Sequence, residues 1–128
     1  MRSDAYCRRL FTIGAIWNWG VAALLTSLAA FELPALAWFL NDVPESFLWF
    51  YLFMGIVAVF GLGYYWVGQD VQRNRNIIKM GVLGKLIVFA LVIPAWLSGE
   101  VTLLGAASAA VDLVFTFLFI DVLMKNPA

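Results

Sequence analysis

Long apolar runs separated by short polar stretches dominate the chain, and they predict helices that cross a membrane. A transmembrane helix needs about 20 mostly apolar residues to span about 30 Å of hydrocarbon. Four stretches meet that length: Leu10–Phe31, Phe47–Val67, Ile77–Leu97 and Thr102–Met124. The third is interrupted by Lys79 and Lys85, so that its unbroken apolar run is only Leu86–Leu97. That run alone is also compatible with a re-entrant segment. Between the first two stretches, Pro34 is expected to stop helix one, and Ala35–Leu40, with Trp38 and Phe39, suits a short segment at the membrane interface. Asp42 and Glu45, three apart, read as a capping box opening helix two, with Pro44 in its first turn. Asn74 or Asn76 is placed to cap helix three, and Asp70 to pair with Arg73 or Arg75.

Charge placement settles the third segment. All 8 Lys and Arg residues fall in three places. Arg2, Arg8 and Arg9 precede the first segment; Arg73, Arg75, Lys79 and Lys85 lie between the second and the early third; Lys125 follows the fourth. The loops Glu32–Ser46 and Ser98–Val101 hold none. Under the positive-inside rule, four crossings with both termini cytoplasmic accommodate every basic residue, whereas three would leave Lys125 outside. The expected architecture is therefore all-α: a transmembrane four-helix bundle, N-in and C-in, forming one domain over residues 1–128. The apolar stretch near the N-terminus is about 22 residues, longer than the 7–15 of a signal peptide core, and is expected to be a retained helix. So one-sided a charge bias also speaks against an antiparallel pair of identical chains, the arrangement open to four-helix small multidrug transporters. Those use a glutamate in the first helix, where this chain offers Asn18.

Composition agrees with this class and narrows the chemistry. Apolar residues make up 64% and charged residues 12%, against roughly half and a quarter in soluble domains. Mean hydropathy is +0.92. Net charge is zero, which leaves no electrostatic footprint for nucleic acid. There is no histidine and a single cysteine, Cys7. Haem, zinc, iron–sulfur and Ser-His-Asp chemistry thereby lack their usual residues, and no cofactor or metal is expected. Aromatic residues gather at the segment ends. Trp38, Phe47, Trp49, Phe50, Tyr51 and Trp96 stand at one boundary and Tyr6, Tyr64, Tyr65 and Trp66 at the other, as an interfacial belt does.

The candidate chemistry lies in the polar residues inside the apolar runs. Asp112 is near the middle of the fourth segment, about 18 Å from its inner end at ~1.5 Å per residue. Ser108 and Thr116, four residues either side, share its stripe, and Gly105 continues it. A stripe of small and polar residues faces other helices. Asp121 is nine positions on, half a turn round at about 100° per residue, so the two aspartates cannot act as one acid–base dyad. Lys85 is expected to pair with Asp121, near the depth its flexible stem reaches toward the cytoplasmic surface; Asp112 is the alternative partner. Asn18 is the polar group of helix one, on a stripe with Gly14, Ala15 and Ala22. It is placed to hydrogen-bond Asp112, as are the indoles of Trp17 and Trp19.

A resemblance accompanies this reading. Gly61-x-Gly63-Tyr64, Asp70, Asn74-Arg75 and Gly81-x-x-Gly84-Lys85, with Asn18 and Asp112, resemble small bacterial inner-membrane proteins of four helices, similar in general shape to the DoxX-like group. The resemblance spans most of the chain and implies a multi-pass protein of the bacterial inner membrane, without a settled activity. Two functions stay open. In one, Asn18, Lys85, Asp112, Ser108 and Thr116 form a buried polar site that binds or transports a small ligand, ion or lipid. In the other, the same residues lock helices together in a non-catalytic accessory or assembly subunit of a larger membrane complex. The expected surroundings are the lipid bilayer, with a parallel homo-oligomer or a larger membrane assembly as partner. An enzyme acting on a lipid is a third reading for which no catalytic residues are nominated.

Overall fold

The computed structural model covers residues 1–128 and contains four long helices. They are α1 (Asp4–Ala30), α2 (Leu48–Gln69), α3 (Arg75–Leu97) and α4 (Leu103–Lys125), with a short 3-10 helix at Pro34–Trp38 between α1 and α2. Each long helix has 22 to 27 residues. At ~1.5 Å per residue the shortest is about 33 Å long, enough to cross the hydrocarbon core. All four are long and apolar enough to be membrane spans, the build of a multi-pass membrane protein.

Two helices begin where a side chain takes up an orphan amide. Ser3 Oγ accepts from the Tyr6 N–H at 3.2 Å, so α1 starts six residues ahead of the apolar run. Thr102 Oγ1 accepts from the Gly105 N–H at 3.2 Å at the head of α4. α1 ends at Ala30, four residues before Pro34, whose ring would collide with the Ala30 carbonyl in a continued helix. Other expected caps do not form. α2 begins at Leu48, beyond the Asp42/Glu45 box, and its N-cap residue Phe47 makes no side-chain bond. Asp42 is engaged elsewhere: its N–H and that of Asn41 bond the Glu100 carbonyl. Asn74 occupies the N-cap position of α3, but its amide turns back to donate to the carbonyls of Trp66 and Asp70. Asp70 accepts from the Arg73 backbone N–H at 2.9 Å and forms no ion pair with either arginine.

The bundle is two helical hairpins, α1 against α2 and α3 against α4, with a looser seam between them. In the first hairpin, consecutive residues of α1 donate to consecutive carbonyls of α2. Asn18 Nδ2 bonds the Val57 carbonyl at 3.1 Å and Trp19 Nε1 the Ala58 carbonyl at 3.0 Å. Gly61 makes room for this: a Cβ there would stand 2.6 Å from Trp19 Nε1. Gly61→Ala is therefore expected to push the indole off its carbonyl and destabilise the hairpin by about 1–2 kcal/mol. Unfolding by sodium dodecyl sulfate, followed by circular dichroism, would check this; an unchanged midpoint would refute it.

Both termini and the α2–α3 connector meet at one end. Asn126 exchanges hydrogen bonds with the backbone of Arg2, Gln72 Nε2 donates to the Pro127 carbonyl, and the Arg75 guanidinium donates to the carbonyls of Leu123 and Asn126. Above this end lies the main core, in which Phe11 stacks on Phe119 at 4.6 Å and Tyr64 meets Phe119 edge-on at 5.0 Å. Tyr64 is 1% exposed, so it belongs to the core and not to the interfacial belt. Trp38, Trp49, Tyr65, Trp66 and Trp96 are exposed, as belt residues are.

At the other end the α1–α2 loop is strapped to the α3–α4 turn. Leu40 and Val101 form an antiparallel bridge, the Thr102 N–H donates to the Phe39 carbonyl, and Thr102 Oγ1 donates to the Trp38 carbonyl. Between strap and core the packing thins, and a cavity opens there.

Candidate functional site

The deep polar residues converge, although not in the expected pairs. Lys85 lies ten residues into α3, about 15 Å from its start. Its ammonium is 2.5 Å from Asp112 Oδ1 on α4 and 3.2 Å from Asn18 Oδ1 on α1. The rings of Tyr64 and Phe115 each place their centroid 5.3 Å from the same nitrogen, within cation–π range. Three helices thus contribute a polar group to one point, and a fourth contributes an aromatic wall.

The expected Lys85–Asp121 pair does not form. Asp121 lies four residues from the end of α4, where Arg2 reaches it at 2.7 Å and Lys125 at 3.2 Å. Its carboxylate holds the Arg2 guanidinium above its ordinary pKa, chiefly through the hydrogen bond. Lys85 is buried, its side chain only 6% exposed, and its ammonium is held at Asp112 and Asn18 instead. Asn18 also differs from expectation. It does not bond Asp112 directly; its oxygen accepts from Lys85, and its amide is fixed by the Val57 carbonyl. That second bond orients Asn18 with its acceptor toward the ammonium. Trp19 is committed to Ala58 and does not reach Asp112, while Trp17 makes no hydrogen bond and lines the cavity.

The stripe around Asp112 divides. Ser108 lines the cavity, with its hydroxyl donating to the Leu104 carbonyl one turn back. Thr116 is fully buried outside the cavity and donates to the backbone carbonyl of Asp112 at 2.9 Å. Thr116 steadies the turn that carries Asp112; Ser108 is part of the cavity wall.

The cavity has a volume of about 340 Å³ and touches all four helices. Its walls are apolar, among them Leu25, Phe50, Met54, Phe60, Val88 and Val92. Its polar floor is Asn18, Lys85, Asp112 and Tyr64, and its roof is formed by Phe39, Leu40 and Val101 of the strap. Floor polarity, apolar walls and a volume above 300 Å³ are the build of a small-molecule site. The floor has bonding capacity to spare. Asp112 bonds Lys85 through Oδ1 alone, and Lys85 uses two of its three N–H donors. Sequence reasoning placed Tyr64 in the interfacial belt; its position four residues after Phe60 and one turn-pair from Val57, on the face toward Lys85, was the signal for its place here.

Comparison with known proteins finds no matching family model, curated protein or solved structure.

Proposed function

We propose that this protein sits in the bacterial inner membrane with both termini cytoplasmic and binds a small amphipathic ligand. The ligand's apolar body fills the cavity, and its polar end meets Asn18, Lys85 and Asp112. The observation that carries the reading is the position of the ion pair. Residues that merely fasten helices are packed on every side, whereas Lys85 and Asp112 form the floor of a cavity of about 340 Å³. Burying charge in a membrane is costly, and intramembrane ionisable residues characteristically mark ligand or ion pathways. The placement of basic residues at the end that holds both termini supports the orientation.

Native mass spectrometry of the protein released from mild detergent tests this. Wild-type protein should carry a retained small molecule. Ser108→Phe, which puts a ring on the cavity wall while leaving Lys85 and Asp112 themselves unchanged, should run as folded protein without it. A wild-type spectrum of bare protein, or equal retention by the variant, would refute the reading. Release as a stoichiometric complex with other chains, with the cavity empty, would favour the accessory-subunit alternative.

A further inference from the structure

The stripe of α2 that faces α3 changes character along its length. At about 100° per residue, Phe53, Ile56, Phe60 and Gly63 lie close to one line along the helix. Toward the end holding the termini, that line is closed by α3. Ile77 Cγ2 is 3.0 Å from where a Gly63 Cβ would be, and the Phe60 ring is 3.7 Å from the same position at Gly84. Toward the strap it is open: Phe53 is 42% and Ile56 55% exposed, yet both also line the cavity. The matching stripe of α3 behaves alike. Gly81 and Gly84 are in contact with α2, whereas Leu91, two turns on, is 67% exposed. At the strap end itself, the Phe39 carbonyl oxygen lies 2.6 Å from where a Gly105 Cβ would be, so the strap rests directly on the start of α4.

The strap closes the cavity toward its own end and the aromatic core closes it toward the other. Between them, the cavity-lining side chains of Phe53 and Ile56 are exposed on the outer half of α2, so the seam with α3 opens sideways there, toward the hydrocarbon. Charge then restricts what can enter. The Lys85 ammonium and the Asp112 carboxylate cancel, so a head group with a formal charge would add an uncompensated charge at the depth of the floor. A hydroxyl is suited to what remains, since it can donate to Asp112 Oδ2 and accept from the third Lys85 N–H or the Tyr64 hydroxyl.

Resting on the reading above, we infer that the α2/α3 seam is a lateral portal and that the ligand is a membrane-borne amphiphile with an uncharged, hydroxyl-bearing head. It slides in from the half of the bilayer nearer the strap, head first, and leaves its tail against Phe53, Ile56 and Leu91.

Photolabelling in phosphatidylcholine nanodiscs tests it. The probes are hexadecan-1-ol with a mid-chain diazirine and the same chain ending in a sulfate or a trimethylammonium group. The alcohol should label cavity peptides holding Met54, Phe60 or Val88 at least about tenfold more than either charged probe. Excess unlabelled hexadecan-1-ol should compete this labelling away. The double variant Ile56→Trp/Leu91→Trp, changed only at exposed positions, should lose cavity labelling while retaining labelling at lipid-facing Val59. Equal labelling by a charged probe would overturn the head-group assignment. Undiminished labelling in the double variant would overturn the portal. Failure of all three probes to label the cavity would overturn both and the binding site with them.

Discussion

Asp112→Leu is expected to lower the unfolding free energy by about 3 kcal/mol. The substitution leaves the Lys85 ammonium, 6% exposed, facing Asn18 and two aromatic rings with no counter-charge. Lys85→Met should cost a similar amount, because Asp112 Oδ1 then loses its partner. Hydrogen bonds between membrane helices average well under these values, so the magnitude separates a stranded charge from a lost hydrogen bond. Asp112→Asn keeps an acceptor within reach of Lys85 and should cost less, while still removing the carboxylate from the cavity floor. Stepwise unfolding in dodecyl sulfate mixed micelles would measure all three. A loss below about 1 kcal/mol for both single apolar variants would mean that the pair is not desolvated.

Gly81→Ala is expected to cost about 2 kcal/mol, large for the addition of one methyl group. The new Cβ would lie 2.6 Å from Tyr64 Cε1 and 2.9 Å from the Tyr64 hydroxyl. The ring is held against Phe119, beside Phe60 and under the Lys85 ammonium, and can give way only by moving into the cavity whose floor it forms. The closed part of the α2/α3 seam would be forced apart, and the cavity floor with it. Gly55 provides the contrast: nothing lies within 4 Å of its Cβ position. Gly55→Ala should therefore stabilise α2 slightly, by up to about 1 kcal/mol from helix propensity alone. Thermal unfolding of the two variants side by side would decide the matter. Equal responses would show that the Gly81–Tyr64 contact is not tight.

Apolar length made three of the four helices legible in the sequence, because a bilayer span has a minimum length that few other elements share, and the third, broken by Lys79 and Lys85, needed the placement of the basic residues as well. Their ends were less so. α1 and α3 extend into charged residues, Asp4 and Arg75, since helix propensity and end contacts, not hydrophobicity, decide where they begin. The members of the polar site Asn18, Lys85 and Asp112 were legible as isolated polar residues in oil. Their pairing was not, for two reasons. Depth was counted from the edge of an apolar run, which placed Lys85 nearer the surface than its ten residues of helix allow. Arg2 was also weighed only as a topological charge, though it lies at the right end to claim Asp121. Tyr64 was hidden for a different reason: an aromatic residue near a segment end fits an interfacial belt equally well, and what makes it a core residue is its packing against Phe119 and the gap left opposite by Gly81. The cavity itself had no sequence signature, because it comes from how two hairpins diverge.

A double-mutant cycle in which Lys85→Met is combined in turn with Asp112→Leu and with Asp121→Leu tests the central arrangement most directly. The Lys85/Asp112 double variant should recover most of the stability lost by either single change, giving a coupling of about 2 kcal/mol or more, and the Lys85/Asp121 combination should be additive. Coupling at Asp121 and additivity at Asp112 would contradict the ion pair on which the site is built.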